Sequence, residues 1–214
     1  MSASLSSALK LPRLLEHYRK TLNGELCTRF AHRNPMAAAR LEKIVLNIGC
    51  GKAVQEAKVL DAAQRTLEII TGQRPSVTRA KRAVSNFRIK EGDAVGCKVT
   101  LRRRRMYEFL DRLVSVALPR LRDFRGLSLN GFDQAGNYSF GLEEQSIFPE
   151  VAMDELHYTL GMDVVLVLRT ASREEAQALL EGFGFPFVKP QGAGAPAVGA
   201  TSSGDASPRG AGAR

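Results

Sequence analysis

The sequence has few of the residues and patterns that indicate a metal protein, a disulfide-bonded protein or a membrane protein. Its three cysteines, Cys27, Cys50 and Cys97, are far apart and include no C-x-x-C pair. This spacing argues against a disulfide framework and a zinc site, and favours a reducing compartment. The three histidines are equally scattered and are predicted to be surface or packing residues. No apolar run approaches the roughly 18 residues of a membrane helix, so no membrane partner is expected.

Acidic residues are almost absent from one long segment. Between residues 71 and 105 the chain has eleven Lys or Arg and only two acidic residues, Glu91 and Asp93, for a net charge of +9. The whole chain also carries +9, so the remaining 179 residues are neutral. Because each neutralised phosphate releases condensed counterions, one basic segment on a neutral protein predicts a nucleic-acid partner. The alternative is a solvated charged surface that aids solubility.

Alternating and helical periodicities succeed one another and predict an α+β fold. Residues 41–48 place Ile44, Leu46 and Ile48 on one side of a strand, and the helical pattern of residues 54–70 ends at Thr71 and Gly72. Residues 95–102 alternate apolar side chains with a second face that offers Lys98, Thr100 and Arg102. Residues 86–90 are predicted to pair with this strand as a hairpin through a turn at 91–93.

The later part of the chain continues the same mixture. A helical stripe runs from Met106 to Ala117 and ends at Pro119, and residues 162–170 read as a buried strand. Ser172 and Glu175 form a capping box for a helix that stops near Gly182. The predicted architecture is a largely antiparallel sheet with helices packed on one face and an extended basic loop.

Three regions are predicted. Residues 1–12 are an N-terminal extension and a candidate targeting segment, and residues 13–189 are the folded domain that carries the basic segment. In residues 190–214, Gly, Ala and Pro supply 16 of 25 positions, too little apolar surface to offset the entropy of ordering, so a disordered tail is expected.

Two other functional classes have to be weighed. Gly49 to Lys52 follows a strand and precedes a helix, but a phosphate loop requires different glycine spacing and a Ser or Thr where this chain has Ala53. We therefore predict that these residues turn the chain from strand to helix. The protein is not expected to be an enzyme. A peripheral binder of anionic membranes would need an amphipathic helical face that a cationic hairpin lacks.

A family resemblance emerges from six stretches in their order and spacing: RLEKIVLNIGCGKAV, ITGQRPSVTRAKRAVSNFRIKEGDAVGCKVTLR, RMYEFLDRLVSVALPRLRDFRGLS, FDQAGNYSFGLEEQSIFPE, GMDVVLVLRTA and GFGFPF. Over about residues 13 to 189 the chain resembles the bacterial form of the family of the fifth large-subunit ribosomal protein. The resemblance implies a structural, non-enzymatic protein without cofactors in the central protuberance of the large subunit. The implied partners are 5S ribosomal RNA, the large ribosomal RNA, the peptidyl-site transfer RNA, neighbouring large-subunit proteins, and small-subunit protein thirteen across an intersubunit bridge.

The resemblance also implies site residues. The family's 5S contacts on its sheet match Asn47, Gln73, Phe87 and Thr100, with Lys98 and Arg102 beside them on the same predicted face. For Phe87, core packing is an equal alternative, because Ile89 shares its side. The family's transfer-RNA loop matches Thr78 to Phe87. Contacts to the backbone of transfer or ribosomal RNA, which do not read sequence, are therefore expected from the cations in and beside this loop, Arg79, Lys81, Arg82, Arg88 and Lys90.

The two ends of the chain bear on the compartment, since bacteria and organelles share this family. Acid-free, Ser-rich residues precede the region of resemblance and a 25-residue tail follows it. These extensions favour a ribosome in the mitochondrion over one in a bacterial cytoplasm, with drift in a GC-rich genome as the alternative explanation.

We therefore expect a fluorescent protein fused after residue 40 to be imported into mitochondria of a eukaryotic host, and import to be lost when residues 1 to 10 are deleted. Fluorescence microscopy with a mitochondrial marker measures both. Cytosolic fluorescence of the undeleted fusion would contradict the mitochondrial assignment.

Overall fold

The centre of the protein is a five-stranded antiparallel sheet with strand order β2-β3-β1-β5-β4. The computed structural model describes residues 11–54, 56–122, 124–151, 158–170 and 172–188. The longest strand, β1, lies in the middle of the sheet. The antiparallel sheet together with the helices given below confirms the predicted α+β class. The strands are β1 Arg40–Gly49, β2 Ser76–Arg79, β3 Ala94–Leu101, β4 Tyr138–Leu142 and β5 Met162–Arg169.

One face of this sheet is buried along its central strands. Leu46 of β1 lies between Val99 of β3 and Val164 of β5, and Ile44 lies between Leu101 and Leu166. All of these side chains are at most 2% exposed. Because successive strand residues point to opposite faces, the burial confirms the alternation predicted for β1 and β3.

The helices pack against this face and join its residues in one hydrophobic cluster. Helix α3 ends as predicted, with Gly72 in the left-handed conformation (φ 63°) and its N–H donating to the carbonyl of Glu68. It begins later than predicted, since Gly51–Val54 forms a separate 3₁₀ turn. The helices are α1 Arg13–His17, continued by a π-helical turn into α2 Asn23–Arg29; α3 Ala57–Thr71; α4 Arg103–Arg112, continued by a π-helical turn Leu113–Ala117 and a 3₁₀ turn Leu118–Arg120; and α5 Arg173–Gly182.

A polar cluster fixes helix α5 to the segment that follows α2. The N-cap half of the predicted capping box is present, with the Ser172 hydroxyl accepting from the Glu175 N–H at 3.3 Å, while the Ser172 N–H donates to the Thr170 hydroxyl at 3.3 Å. The Glu175 carboxylate is almost fully buried, where it contacts His32 and accepts from the Thr170 hydroxyl at 3.0 Å. His32 is thus a packing residue and His17 is exposed, as predicted. His157 lies outside the described residues.

The predicted hairpin is wrong in its first strand. The partner of β3 is β2, with Val77 opposite Cys97, and not residues 86–90. Residues 85–87 instead form a 3₁₀ turn that ends at Arg88 in the left-handed conformation (φ 55°). An arginine at such a position gives no turn signal of the glycine or asparagine kind, so the short apolar pattern of residues 86–90 was misinterpreted as a strand.

The cysteines are free, as predicted, but two of them are neighbours in space. Cys50 follows β1 and its N–H donates to the carbonyl of Val95 in the segment around Cys97. Hydrogen bonding to Cys50, together with burial, raises the pKa of the Cys97 thiol. No helix in the described part of the chain is long and apolar enough to cross a membrane. Residues 1–10 of the predicted extension and the predicted tail, residues 190–214, lie outside the described residues.

The close approach of β1 to β3 depends on a glycine. A Cβ atom at Gly96 would lie 2.5 Å from the carbonyl oxygen of Ile48, whereas a Cβ atom at its cross-strand partner Gly49 would have no neighbour within 4 Å. We expect Gly96→Ala to lower the free energy of unfolding by about 1–3 kcal/mol, because the two strands must separate. Urea unfolding measures this, with Gly49→Ala as the control expected within about 0.5 kcal/mol of the wild type. Equal stability of the two variants would contradict the close packing of β1 on β3.

Candidate nucleic-acid interface

The second face of the sheet carries polar and charged side chains in register across four strands. Ser76 of β2 is opposite Lys98 of β3, Lys98 is opposite Asn47 of β1, and Asn47 is opposite Asp163 of β5. Neighbouring strands lie about 4.8 Å apart, so this row spans about 14 Å. All four residues are exposed or half-buried. We call this surface the open face.

A second row on the open face is partly apolar. Thr100 of β3, Val45 of β1, Val165 of β5 and Ser139 of β4 are opposite one another. The two valines are half-buried and lie at the centre of the row, between hydroxyl groups. The open face therefore combines hydrogen-bonding groups with a small apolar surface against which a sugar or a base can pack.

Hydrogen bonds orient two of its amides. The Asn47 amide nitrogen donates to the Asp163 carboxylate at 3.3 Å, which turns the Asn47 carbonyl oxygen away from the acid. The Gln73 amide nitrogen lies 3.5 Å from the carbonyl of Thr100, which places Gln73, in the turn after α3, beside the open face. The backbone N–H of Gln73 donates to the Thr71 hydroxyl at 3.2 Å, which holds that turn.

The basic loop, residues 80–93, is a closed ribbon that leaves the end of the β2–β3 hairpin. Its base is held by hydrogen bonds from the Ala80 N–H to Asp93 and from the Gly92 N–H to Ala80, at 2.8 and 3.0 Å. Nearer its tip, Val84 and Ile89 exchange backbone hydrogen bonds. The ribbon therefore has a defined backbone that projects its side chains beyond the sheet.

The cations of the loop are exposed and uncompensated. Among the residues that the structure describes, Lys81, Arg82, Arg88 and Lys90 form no ion pair within 4.0 Å. Arg79, at the base, donates to the carbonyl of Gly92 at 2.9 Å and so has a part in holding the ribbon closed. On the open face Lys98 is also unpaired in this part of the chain, and Arg102 lies 3.7 Å from Glu42 in an exposed pair. An exposed ion pair of this kind contributes little to the stability of the fold.

The structure brings most of the predicted site residues together. Asn47, Thr100, Lys98 and Arg102 lie on the open face in the predicted orientation, and Gln73 is beside Thr100. Phe87 does not join them, because it lies at the tip of the loop. Its side chain is 75% exposed, so core packing is wrong as an alternative for Phe87.

Sequence reasoning missed Asp163 and Ser76 as members of the open face. The interpretation of residues 162–170 as a buried strand was correct for one side only, since Met162, Val164, Leu166 and Leu168 are buried while Asp163 and Arg169 are exposed. The charges at its two ends were a signal of this alternation. Ser76 is not predicted as a strand residue, because the sequence pattern predicts the hairpin strand at residues 86–90 and not at Ser76–Arg79.

The glycine-rich stretch after β1 forms a strand-to-helix turn. Strand β1 ends at Gly49, a 3₁₀ turn occupies Gly51–Val54, and α3 begins at Ala57. This confirms the strand-to-helix turn predicted for Gly49 to Lys52.

Two family profiles match the strands of the open face and most of the loop. The family profile described as Ribosomal protein L5 matches residues 34–90, and the profile described as the ribosomal L5P family C-terminus matches residues 94–187. A relative named large ribosomal subunit protein uL5 from Caldanaerobacter subterraneus subsp. tengcongensis is 50% identical over 179 residues, which are 84% of this chain and 100% of the relative.

Two further relatives of the same name agree with this match. The protein of Syntrophus aciditrophicus is 49% identical over 177 residues, covering 83% of this chain and 99% of the relative. The protein of Methylococcus capsulatus is 50% identical over 177 residues, with the same coverage of 83% and 99%. The match thus extends along nearly the full length of each relative.

Proposed function

Because the chain belongs to the ribosomal protein L5 family and is a structural, non-enzymatic constituent of the large ribosomal subunit, we propose that its open face binds 5S ribosomal RNA and its basic loop contacts the peptidyl-site transfer RNA. The observation that carries the proposal is the register-matched row of polar and cationic side chains on a sheet face that the helices leave free. It is supported by the absence of ion pairs, within the described residues, for the loop cations.

The chemistry of the open face suits irregular RNA better than a regular duplex. Asn47, Gln73 and Thr100 present donors and acceptors for base edges and ribose 2′-hydroxyls. Lys98 and Arg102 supply the cations for nearby phosphates. Asp163 would repel a phosphate, so we place base N–H donors near the Asn47–Asp163 pair and the phosphate backbone along the β3 side.

The loop suits contacts that do not read sequence. Its cations point to a phosphate backbone, and the exposed Phe87 ring at its tip offers a surface for stacking on a base or ribose. A protein that meets every transfer RNA in turn needs contacts of this sequence-independent kind. Because Phe87 lies in the loop, we assign it to the loop's contacts, separate from the row on the open face.

The remaining partners are proposed from the family alone. They are the large ribosomal RNA, neighbouring proteins of the central protuberance, and small-subunit protein thirteen across the intersubunit bridge. The mitochondrial location also stays a prediction. The relatives described above are bacterial, which fits the alternative of a bacterial cytoplasm.

The 5S assignment can be tested on two side chains of the open face. Replacing Gln73 and Thr100 by Ala should weaken binding of a 5S ribosomal RNA transcript by roughly 1–3 kcal/mol for each buried polar group of the RNA that is left without a partner. Filter binding measures the affinity. The control is Gln64→Ala, on helix α3 and away from the open face, which should leave the affinity unchanged. Full affinity of the Gln73 and Thr100 variants would reject the assignment.

The loop assignment requires a variant that keeps the ribbon closed. Since Arg79 holds the base through Gly92, the cations to replace are Lys81, Arg82 and Lys90. Their replacement by Ala should preserve the melting temperature, because the three side chains are exposed and bury no apolar surface. It should lower transfer-RNA occupancy of the peptidyl site most strongly at low salt.

Reconstituted ribosomes with labelled transfer RNA measure this occupancy, after co-sedimentation has shown that each variant is incorporated. The control replaces three exposed cations of the N-terminal helical region, Arg19, Lys20 and Arg29, and so removes the same charge elsewhere. If both triple variants reduce occupancy equally, the effect comes from net charge and the loop has no special role.

A further inference from the structure

Three non-glycine residues of the described chain have a left-handed backbone. They are Ala31, Arg88 and Arg103, with φ values of 52°, 55° and 54°. A side chain is strained in this conformation by contact with its own backbone, and glycine avoids the strain. Two of the three residues are arginines of the basic segment.

Arg103 lies where the chain leaves the sheet for helix α4. Its predecessor Arg102 is extended (φ −139°, ψ 161°), and α4 begins at Arg103 itself. The reversal of direction between the strand and the helix therefore falls on this one residue. A glycine would make the same turn at lower energy, so local folding gives no reason for an arginine at this position.

The charge of Arg103 is also uncompensated, in contrast to its neighbours. Arg104 pairs with Glu108 at 2.8 Å, and Arg102 lies 3.7 Å from Glu42. Arg103 is exposed and has no ion pair among the described residues. The residue combines a strained backbone with a free cation directly beside the open face.

We infer that Arg103 is an RNA phosphate contact that extends the open face across the junction of β3 and α4, and that its side chain is kept there in spite of the backbone strain. The inference rests on the proposed binding of ribosomal RNA by the open face. It assigns Arg103 in addition to the residues matched to the family. There are two alternatives for Arg103 that the experiment has to separate from RNA binding. The side chain is only solvated, or it contacts an acidic protein surface.

The test uses substitutions that separate strain from charge. Arg103→Gly removes both and should raise the melting temperature by about 1–3 °C for a chain of this size while weakening binding of a 5S ribosomal RNA transcript about five- to tenfold. Arg103→Ala removes only the charge, and should weaken binding as much without raising the melting temperature. Arg103→Lys keeps both and should resemble the wild type.

The salt dependence identifies the partner of Arg103 as a phosphate. The slope of log affinity against log salt concentration should decrease in magnitude by about 0.7–0.9 in the Gly and Ala variants, the change expected when one phosphate is no longer neutralised. Ala31→Gly is the matched control, because it relieves the same backbone strain outside the basic segment. It should raise the melting temperature and leave RNA binding unchanged.

Each outcome decides between the possibilities. If the wild type binds the transcript and Arg103→Gly binds it with the same affinity and salt slope, Arg103 is a solvated cation or faces a protein, and the inference is overturned. If Arg103→Gly lowers the melting temperature, the arginine supports the fold and is not kept in spite of strain. If the wild type itself does not bind the transcript, the proposed function fails first and the RNA role of Arg103 fails with it.

Discussion

The side chains of Ile44, Leu46 and Ile48 have no exposed surface, and their burial on one face of the central strand constrains the rest of the molecule. Since strand residues alternate, the same burial directs Val45 and Asn47 to the opposite face. A slip of one residue in the register of β1 would exchange the two faces and destroy the core. The packing of the core therefore also fixes which side chains of β1 point to the open face.

Among the residues that the structure describes, the cations that hold the helices together are paired with acidic groups, and the cations of the basic loop are not. Where cations support the fold, they are paired: Arg112 binds Glu150 at 2.5 Å and also donates to the carbonyl of Ile70 at 2.9 Å, which joins α4 to the end of α3. In the loop, the described cations have no acidic partner. Like charges that repel one another over a Debye length of about 8 Å destabilise an isolated loop, and a polyanion relieves the repulsion. The uncompensated charge is thus a property of the free protein that a bound polyanion would neutralise.

Local features of the sequence predicted some elements accurately and others poorly, for physical reasons that particular residues show. The helix stop at Gly72 and the cap at Ser172 depend on a few neighbouring atoms, and both were predicted. The loop was misinterpreted because its tip turns at Arg88, whose left-handed backbone has no local sequence signal. Phe87 was ambiguous for the same reason, since two-residue alternation has no meaning within a 3₁₀ turn.

The sequence by itself determined the fold class, the inward side of β1 and β3, and the segment that holds the excess charge, because periodicity and composition are local properties. Only the tertiary structure decided which distant residues share the open face. Asn47 and Asp163 are 116 positions apart, and Gln73 and Thr100 are 27 apart. The first pair is brought together by the pairing of β1 with β5, and the second by the pairing of β2 with β3. These pairings are chosen by the packing of the whole core and are encoded in no single stretch of the chain.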